Sequence, residues 1–243
     1  VKNDTLLTIK ACIENYEFQS VLKFWLQIWE ALKFDIMRNN SEDKYEDEGI
    51  NNYQECINVV VALCKKFLEQ KNGEHFDIIL KKIYQDLENN FINGKNLKQS
   101  CGILSSLSSI DETSFNKVME KVMPLFFDEK KLQESQSDVN LEQMKLLLLN
   151  LSFFFDSYTT VFNDKSEPSP KGNELENYKD EILLLLSKAL TGTSKNEIAI
   201  KTLSIVQFTK LVNMKDFLSE SEVYMSVQYL TDSLLEADDK NIY

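Results

Sequence analysis

The sequence predicts an all-α fold, a right-handed α-solenoid of antiparallel helix pairs. Three observations carry that expectation: a scarcity of backbone breakers, apolar residues at helical spacing, and a recurrence near 45 residues. Only six Gly and three Pro stand among 243 residues. Sandwiches, barrels and nucleotide-binding sheets use such residues for tight turns and phosphate loops. No G-x-G occurs, so neither a dinucleotide fingerprint nor a Walker loop can be built.

Taken in order, helices are expected at about 3–16, 18–38, 50–71, 75–90, 95–109, 112–134, 139–160, 175–191, 195–212 and 219–236. The first residues of the chain already read as helix, with no charged-then-apolar leader, and Val1 suggests an excised fragment. In 18–38, Trp25, Trp29, Phe24 and Phe34 cover more of the helix than one buried stripe needs, leaving an aromatic available as an anchor for a partner. Ile57, Val60, Val61, Cys64 and Leu68 give 50–71 its stripe, and Phe76, Ile79, Leu80, Ile83 and Leu87 give the next helix the same progression. Gly102 lies inside 95–109, where a neighbour should pack closely. Pro124 lies inside 112–134, where it removes one hydrogen bond and bends the helix. The run from Leu146 to Phe155 fills 139–160; Lys145, Asn150 and Ser152 keep it far short of a membrane span. The last two helices open on Ser194 with Glu197 and Ser219 with Glu222, the spacing of a capping box. Gly49, Gly73, Gly94, Gly172 and Gly192 fall at expected helix ends.

The second helix of each pair starts near Asp4, Ile50, Lys95, Asn140 and Asn196, and the one long step contains the polar loop 163–173 with Pro168 and Pro170. Without that loop the step returns to 45. A period of about 40 to 47 residues made of two helices is the mark of HEAT-type repeats, in which stacking supplies the core that no single pair can form. Residues 1–243 then form one segment of about five helix pairs, the first and last incomplete, cut from a longer solenoid. Cys12, Cys56 and Cys101 recur at 44 and 45 residues, with Leu146 continuing the series, which places them as small residues in successive layers.

The charge is −12, and Arg38 is the only arginine. Direct nucleic-acid binding needs a cationic, usually Arg-bearing footprint, so it is disfavoured, as is an anionic membrane surface. The cysteines contain no C-x-x-C and the single histidine, His75, has no ligand partner at metal spacing, so neither a metal nor another cofactor is expected. Nor is an enzyme or a small-molecule substrate, because His75 would have to serve as the base of any Ser-His or Cys-His pair. Glu42 to Glu48 carries five carboxylates and one Lys, a solvated loop or a docking strip for a basic segment. Ser169-Pro170 is a candidate phosphorylation site. Catalytic, cofactor and metal residues are therefore none, and binding residues are not assigned.

Particular stretches resemble one HEAT family. They are Leu6 to Cys12, Phe24 to Trp29, and above all Ile198 to Ile205 leading through Met214 and Phe217 to Glu220 and on to Val227 to Leu230. These resemble the large HEAT-repeat scaffold of the cytosolic iron–sulfur protein assembly targeting complex, described also as a DNA repair and transcription family. The resemblance implies a non-enzymatic adaptor of cytosol and nucleus, partnered by the other targeting subunits and by iron–sulfur client enzymes such as helicases and polymerases. A karyopherin-like transport scaffold, also acidic and solenoidal, is the alternative.

Overall fold

The computed structural model describes residues 2–38, 47–70, 73–94, 96–127, 141–165, 172–190 and 195–240. Among these the regular elements are α1 (Lys2–Asn15), α2 (Phe18–Leu22), α3 (Trp25–Arg38), α4 (Asp47–Leu68), α5 (Glu74–Asn93), α6 (Leu97–Ser108), α7 (Glu112–Phe126), α8 (Leu141–Phe162), a 3-10 turn (Glu174–Tyr178), α9 (Lys179–Leu190), α10 (Lys195–Val212) and α11 (Glu220–Lys240). The chain is all-α, and it divides into two compact units between Val118 and Met119.

In the first unit α4 is central, packing against α1, α3, α5 and α6. Its apolar face is accordingly wider than one stripe. Cys56, Ile57, Val59, Val60, Leu63, Cys64 and Phe67 are all buried, whereas Val61 and Leu68 are only half-buried. α5 is narrower, and its stripe is the expected one: Phe76, Ile79, Leu80, Ile83 and Leu87 are buried. α5 and α6 close a hairpin in which Asn90 Nδ2 donates to Ser100 Oγ at 2.8 Å. Glycine shapes both ends of α5, since Gly73 (φ 85°) and Gly94 (φ 67°) are left-handed, a conformation that costs other residues about 1 kcal/mol or more.

In the second unit α10 packs on α8 and α9, and α11 lies against α9 and α10. The α9–α10 hairpin is tied by the buried Ser204 hydroxyl donating to the Leu186 carbonyl at 2.7 Å. α11 starts on the expected capping box: the Ser219 amide donates to Glu222 Oε2 at 2.7 Å, and the Glu222 amide donates to Ser219 Oγ at 3.4 Å. Each unit thus stacks helices on their sequence neighbours in the manner of an α-solenoid.

Several expectations change. The helix expected at 18–38 breaks at Lys23 and Phe24 into α2 and α3. Gly49 sits in the first turn of α4 rather than before it, because that helix already starts at Asp47. Pro124 lies inside α7 as expected, and α7 ends at Phe126. Cys56 and Cys101 are buried but Cys12 is exposed, and Leu146 is exposed as well. α1 has a single large packing partner in α4, so only Leu6 and Ile13 of its residues are covered. The acidic residues 42–46, Gly192, Ser194 and the Ser169-Pro170 pair lie outside the described residues.

Gly102 marks a close approach between α6 and α4. A Cβ built there would lie 3.0 Å from the hydroxyl oxygen of Tyr53 on α4. A Gly-to-Ala change inside a helix ordinarily gains about 1 kcal/mol. Gly102→Ala is expected to gain less than that, and Tyr53→Phe, which removes the opposing oxygen, to restore the full gain. A double-mutant cycle by urea unfolding measures it; equal effects in both backgrounds would refute the contact.

Candidate functional site

The first unit carries a polar lattice where α3 and α5 run side by side. Trp29, fully buried, donates its indole Nε1–H to Asp86 Oδ2 at 2.7 Å. Lys82 Nζ lies 2.7 Å from Asp86 Oδ1 and 3.0 Å from Glu30 Oε1, and Lys33 reaches both Asp86 and Glu30. Further along, Asn90 Nδ2 lies 3.5 Å from Met37 Sδ. Residue numbers rise together on the two helices, so α3 and α5 are parallel. The sequence separation of these ties is 52 to 57.

Electrostatics follow from this geometry. Burial alone would raise the Asp86 carboxyl, but hydrogen bonds from Lys82, Trp29 and Lys33 outweigh it and hold it below its ordinary value. Hydrogen bonds from Lys33 and Lys82 lower Glu30 in the same way. Two lysines thus neutralise two carboxylates. Around this neutral patch stand exposed apolar side chains: Leu26 and Phe34, in one row with Glu30 on α3, and Ile78 one turn before Lys82 on α5. Phe34 is 69% exposed, with Lys33 Nζ 5.5 Å from its ring centroid. Of the aromatic cluster singled out in the sequence, Trp29 is core, Trp25 is half-buried, and Phe24 and Phe34 face solvent. A neutralised lattice rimmed by exposed aromatic and aliphatic groups can be covered by a protein partner at less desolvation cost than unpaired charges would carry.

Reactive residue types are placed differently. His75 is half-buried with its ring 4.9 Å from Phe18 and 6.5 Å from Phe67, and its Nδ1 has no hydrogen-bond partner. Burial pushes the Cys56 thiol up to about 11, and raises Cys64 and Cys101 further. Such thiols stay protonated at neutral pH and are poor nucleophiles. Among the described residues no three His, Cys, Asp or Glu are grouped to hold a metal ion, and no helix is long and apolar enough to cross a membrane. Periodicity placed Trp29 in a helix, but its bond to Asp86 joins residues 57 apart, and no local pattern announces it.

Similar ties recur elsewhere. Lys117 pairs with Asp77 between α7 and α5; Lys210 pairs with Asp156 and Ser152 between α10 and α8; Lys179 pairs with Glu222 between α9 and α11. Helices stacked on neighbours and pinned by lysine–carboxylate ties define an all-α protein of the solenoid class.

A family model described as "Dos2-interacting transcription regulator of RNA-Pol-II" matches residues 1–38. The MMS19 "DNA repair/transcription protein" of Saccharomyces cerevisiae is 37% identical over 260 residues, covering 100% of this chain and 24% of that protein. The "DNA repair/transcription protein mms19" of Schizosaccharomyces pombe is 26% identical over 98% of the chain and 23% of its own length. The "MMS19 nucleotide excision repair protein homolog" of Xenopus tropicalis is 24% identical over 98% of the chain and 22% of its own length. The chain belongs to the MMS19 family, and it spans about a quarter of the length of these relatives.

A depressed carboxyl stabilises the fold above its ordinary value and loses that contribution as pH falls through its folded value. For Asp86 the ordinary value is 3.8, so the loss begins near there and is complete at still lower pH. Asp86→Asn is expected to destabilise the chain by about 1 to 3 kcal/mol at neutral pH. The difference from wild type should narrow as urea unfolding is repeated at decreasing pH through that window. A difference that does not change with pH would refute the ionised lattice.

Proposed function

We propose that this chain is part of a non-enzymatic adaptor that helps deliver iron–sulfur clusters to apo-proteins of DNA replication, repair and transcription, by holding client and assembly proteins together. The observation that carries the reading is identity along the whole chain to a protein named for DNA repair and transcription. The resemblance of Ile198 to Ile205 and Met214 to Leu230 to the targeting-complex scaffold supplies the finer role. A net charge of −12 with one arginine supports an adaptor that binds the enzymes acting on DNA rather than DNA itself. The partners are the other targeting subunits and client helicases and polymerases, met in cytosol and nucleus, with no membrane, nucleic-acid or small-molecule ligand of its own. The exposed row of Leu26 and Phe34 beside the Asp86 lattice is the proposed contact in the first unit.

The test is co-purification. Phe34→Glu with Leu26→Glu in the full-length polypeptide is expected to reduce recovery of iron–sulfur clients by several-fold while the melting temperature stays unchanged. Undiminished recovery of every client, including after deletion of the whole segment, would refute the role.

A further inference from the structure

In the second unit α9 and α11 each pack on α10 and also meet one another, and the side of the pair that faces away from α10 is open to solvent. Each forms a hairpin with α10, so the two run parallel. Lys179 Nζ lies 3.0 Å from Glu222 Oε1, which marks the side of α11 that faces α9. Met225 and Tyr229 follow Glu222 in the same row of α11, and they are 52% and 43% exposed. On α9, Leu184 is 54% exposed. At the Lys179–Glu222 separation of 43 it stands level with Val227, between Met225 and Tyr229. The seam between the two helices thus carries three apolar groups in the open.

The charges beside this seam are unbalanced. Asp180 and Glu181 come one turn before Leu184, Asp232 comes one turn after Tyr229, and all three are exposed. Lys188, one turn after Leu184, is the single exposed cation described on the two helices. Elsewhere, carboxylates at helix contacts are matched: Asp77 holds Lys117, Asp86 holds Lys82 and Lys33, and Asp156 holds Lys210. Among the described residues no such tie reaches Asp180, Glu181 or Asp232.

We propose that the seam between α9 and α11 is a docking site for a basic amphipathic helix of another protein. Its apolar side would lie on Leu184, Met225 and Tyr229, and its lysines or arginines against Asp180, Glu181 and Asp232. An uncharged cover would strip water from these carboxylates and give nothing back, whereas a cationic rim replaces the lost hydration with ion pairs. A second copy would bring the same acids, and nucleic acid or an anionic membrane would be repelled. Methionine adapts to a partner's shape and tyrosine anchors it, so the apolar groups suit an added helix. The patch around Phe34 differs, because its carboxylates already hold their own lysines. The proposal does not rest on the iron–sulfur role.

The experiment titrates the full-length polypeptide with synthetic helices of Leu, Ala and charged residues, read by fluorescence anisotropy. One helix carries Lys, a second carries Glu at the same positions, and a third scrambles the Lys sequence so that no apolar face forms. The Lys helix is expected to bind, more weakly as ionic strength rises, and the other two to bind several-fold more weakly at every ionic strength. Asp180→Lys with Asp232→Lys should weaken binding roughly ten-fold, and Leu184→Ser with Met225→Ser several-fold, at unchanged melting temperature. Reversing two exposed carboxylates away from the seam, Glu69→Lys with Glu120→Lys, should leave the affinity as it was. Equal binding of the Lys and Glu helices, an affinity untouched by the seam variants, or an equal loss in the distant pair would overturn the proposal. Carboxyl-to-amine crosslinking of the polypeptide in its native complexes then reads the occupant directly. A bond from Asp180 or Asp232 to a lysine in a basic helix of a different protein is the expected product; a bond to the same polypeptide or to a second copy overturns the assignment.

Discussion

A pair of helices cannot enclose its own apolar residues, and burial in this chain is therefore set by how many neighbours each helix has. α4 packs against four helices and buries residues around much of its circumference from Cys56 to Phe67. α1 is of similar type, yet with one large partner it covers only Leu6 and Ile13. At about 25 cal/mol per Å² of apolar surface removed from water, the coverage gained from each neighbour outweighs any single hydrogen bond in the chain. Stability is then a sum over helix-to-helix contacts, and residues in chemically similar helices differ in burial by position in the stack.

Apolar stacking alone leaves register loose, because ridges of similar side chains can slide by a turn. The polar ties fix it. Asp86 accepts from Trp29, Lys33 and Lys82 at once, and a shift of one turn would strand the Trp29 indole N–H in the core. Lys210 does the same between α8 and α10, reaching Ser152 and Asp156 together. These ties use lysine, whose flexible stem tolerates an imperfect target better than the rigid fork of arginine. Polar burial has a cost in the second unit. Asn150 and Gln207, on the packed helices α8 and α10, each bury an amide oxygen with no hydrogen-bond partner.

Much of this was visible in the sequence for a physical reason. Helical periodicity is a local property, so α5, α10 and α11 begin and end near where apolar spacing, Gly73 and the Ser219 capping box place them. Gly102 was readable too, since glycine inside a helix is costly and so points to a neighbour too close for a side chain, and Tyr53 is that neighbour. Layer assignments from recurrence fared less evenly. Cys56 and Cys101 are buried, but Cys12 and Leu146 are exposed, because recurrence records a position along the repeat and not the neighbours that cover it. The break at Lys23 and Phe24 carries no Gly or Pro, so nothing local distinguishes it from continuing helix. The Asp86 lattice joins residues more than 50 apart, and no composition rule pairs one particular lysine with one particular carboxylate at that distance.

The placement of the thiols bears on the proposed iron–sulfur role. Cys56 and Cys64 sit eight residues apart on one helix, about 12 Å at 1.5 Å per residue, too far to share one small cluster. Both are fully buried with raised pKa values, as is Cys101 on α6, so ligation would require deprotonating a thiol inside an apolar core. Cys12 is exposed and stands on a different helix, α1. Among the described residues, then, no two of these cysteines are placed on one helix within reach of a common small ligand. What the first unit does offer to solvent is exposed Phe34 and Leu26 beside charges already neutralised by their own lysines.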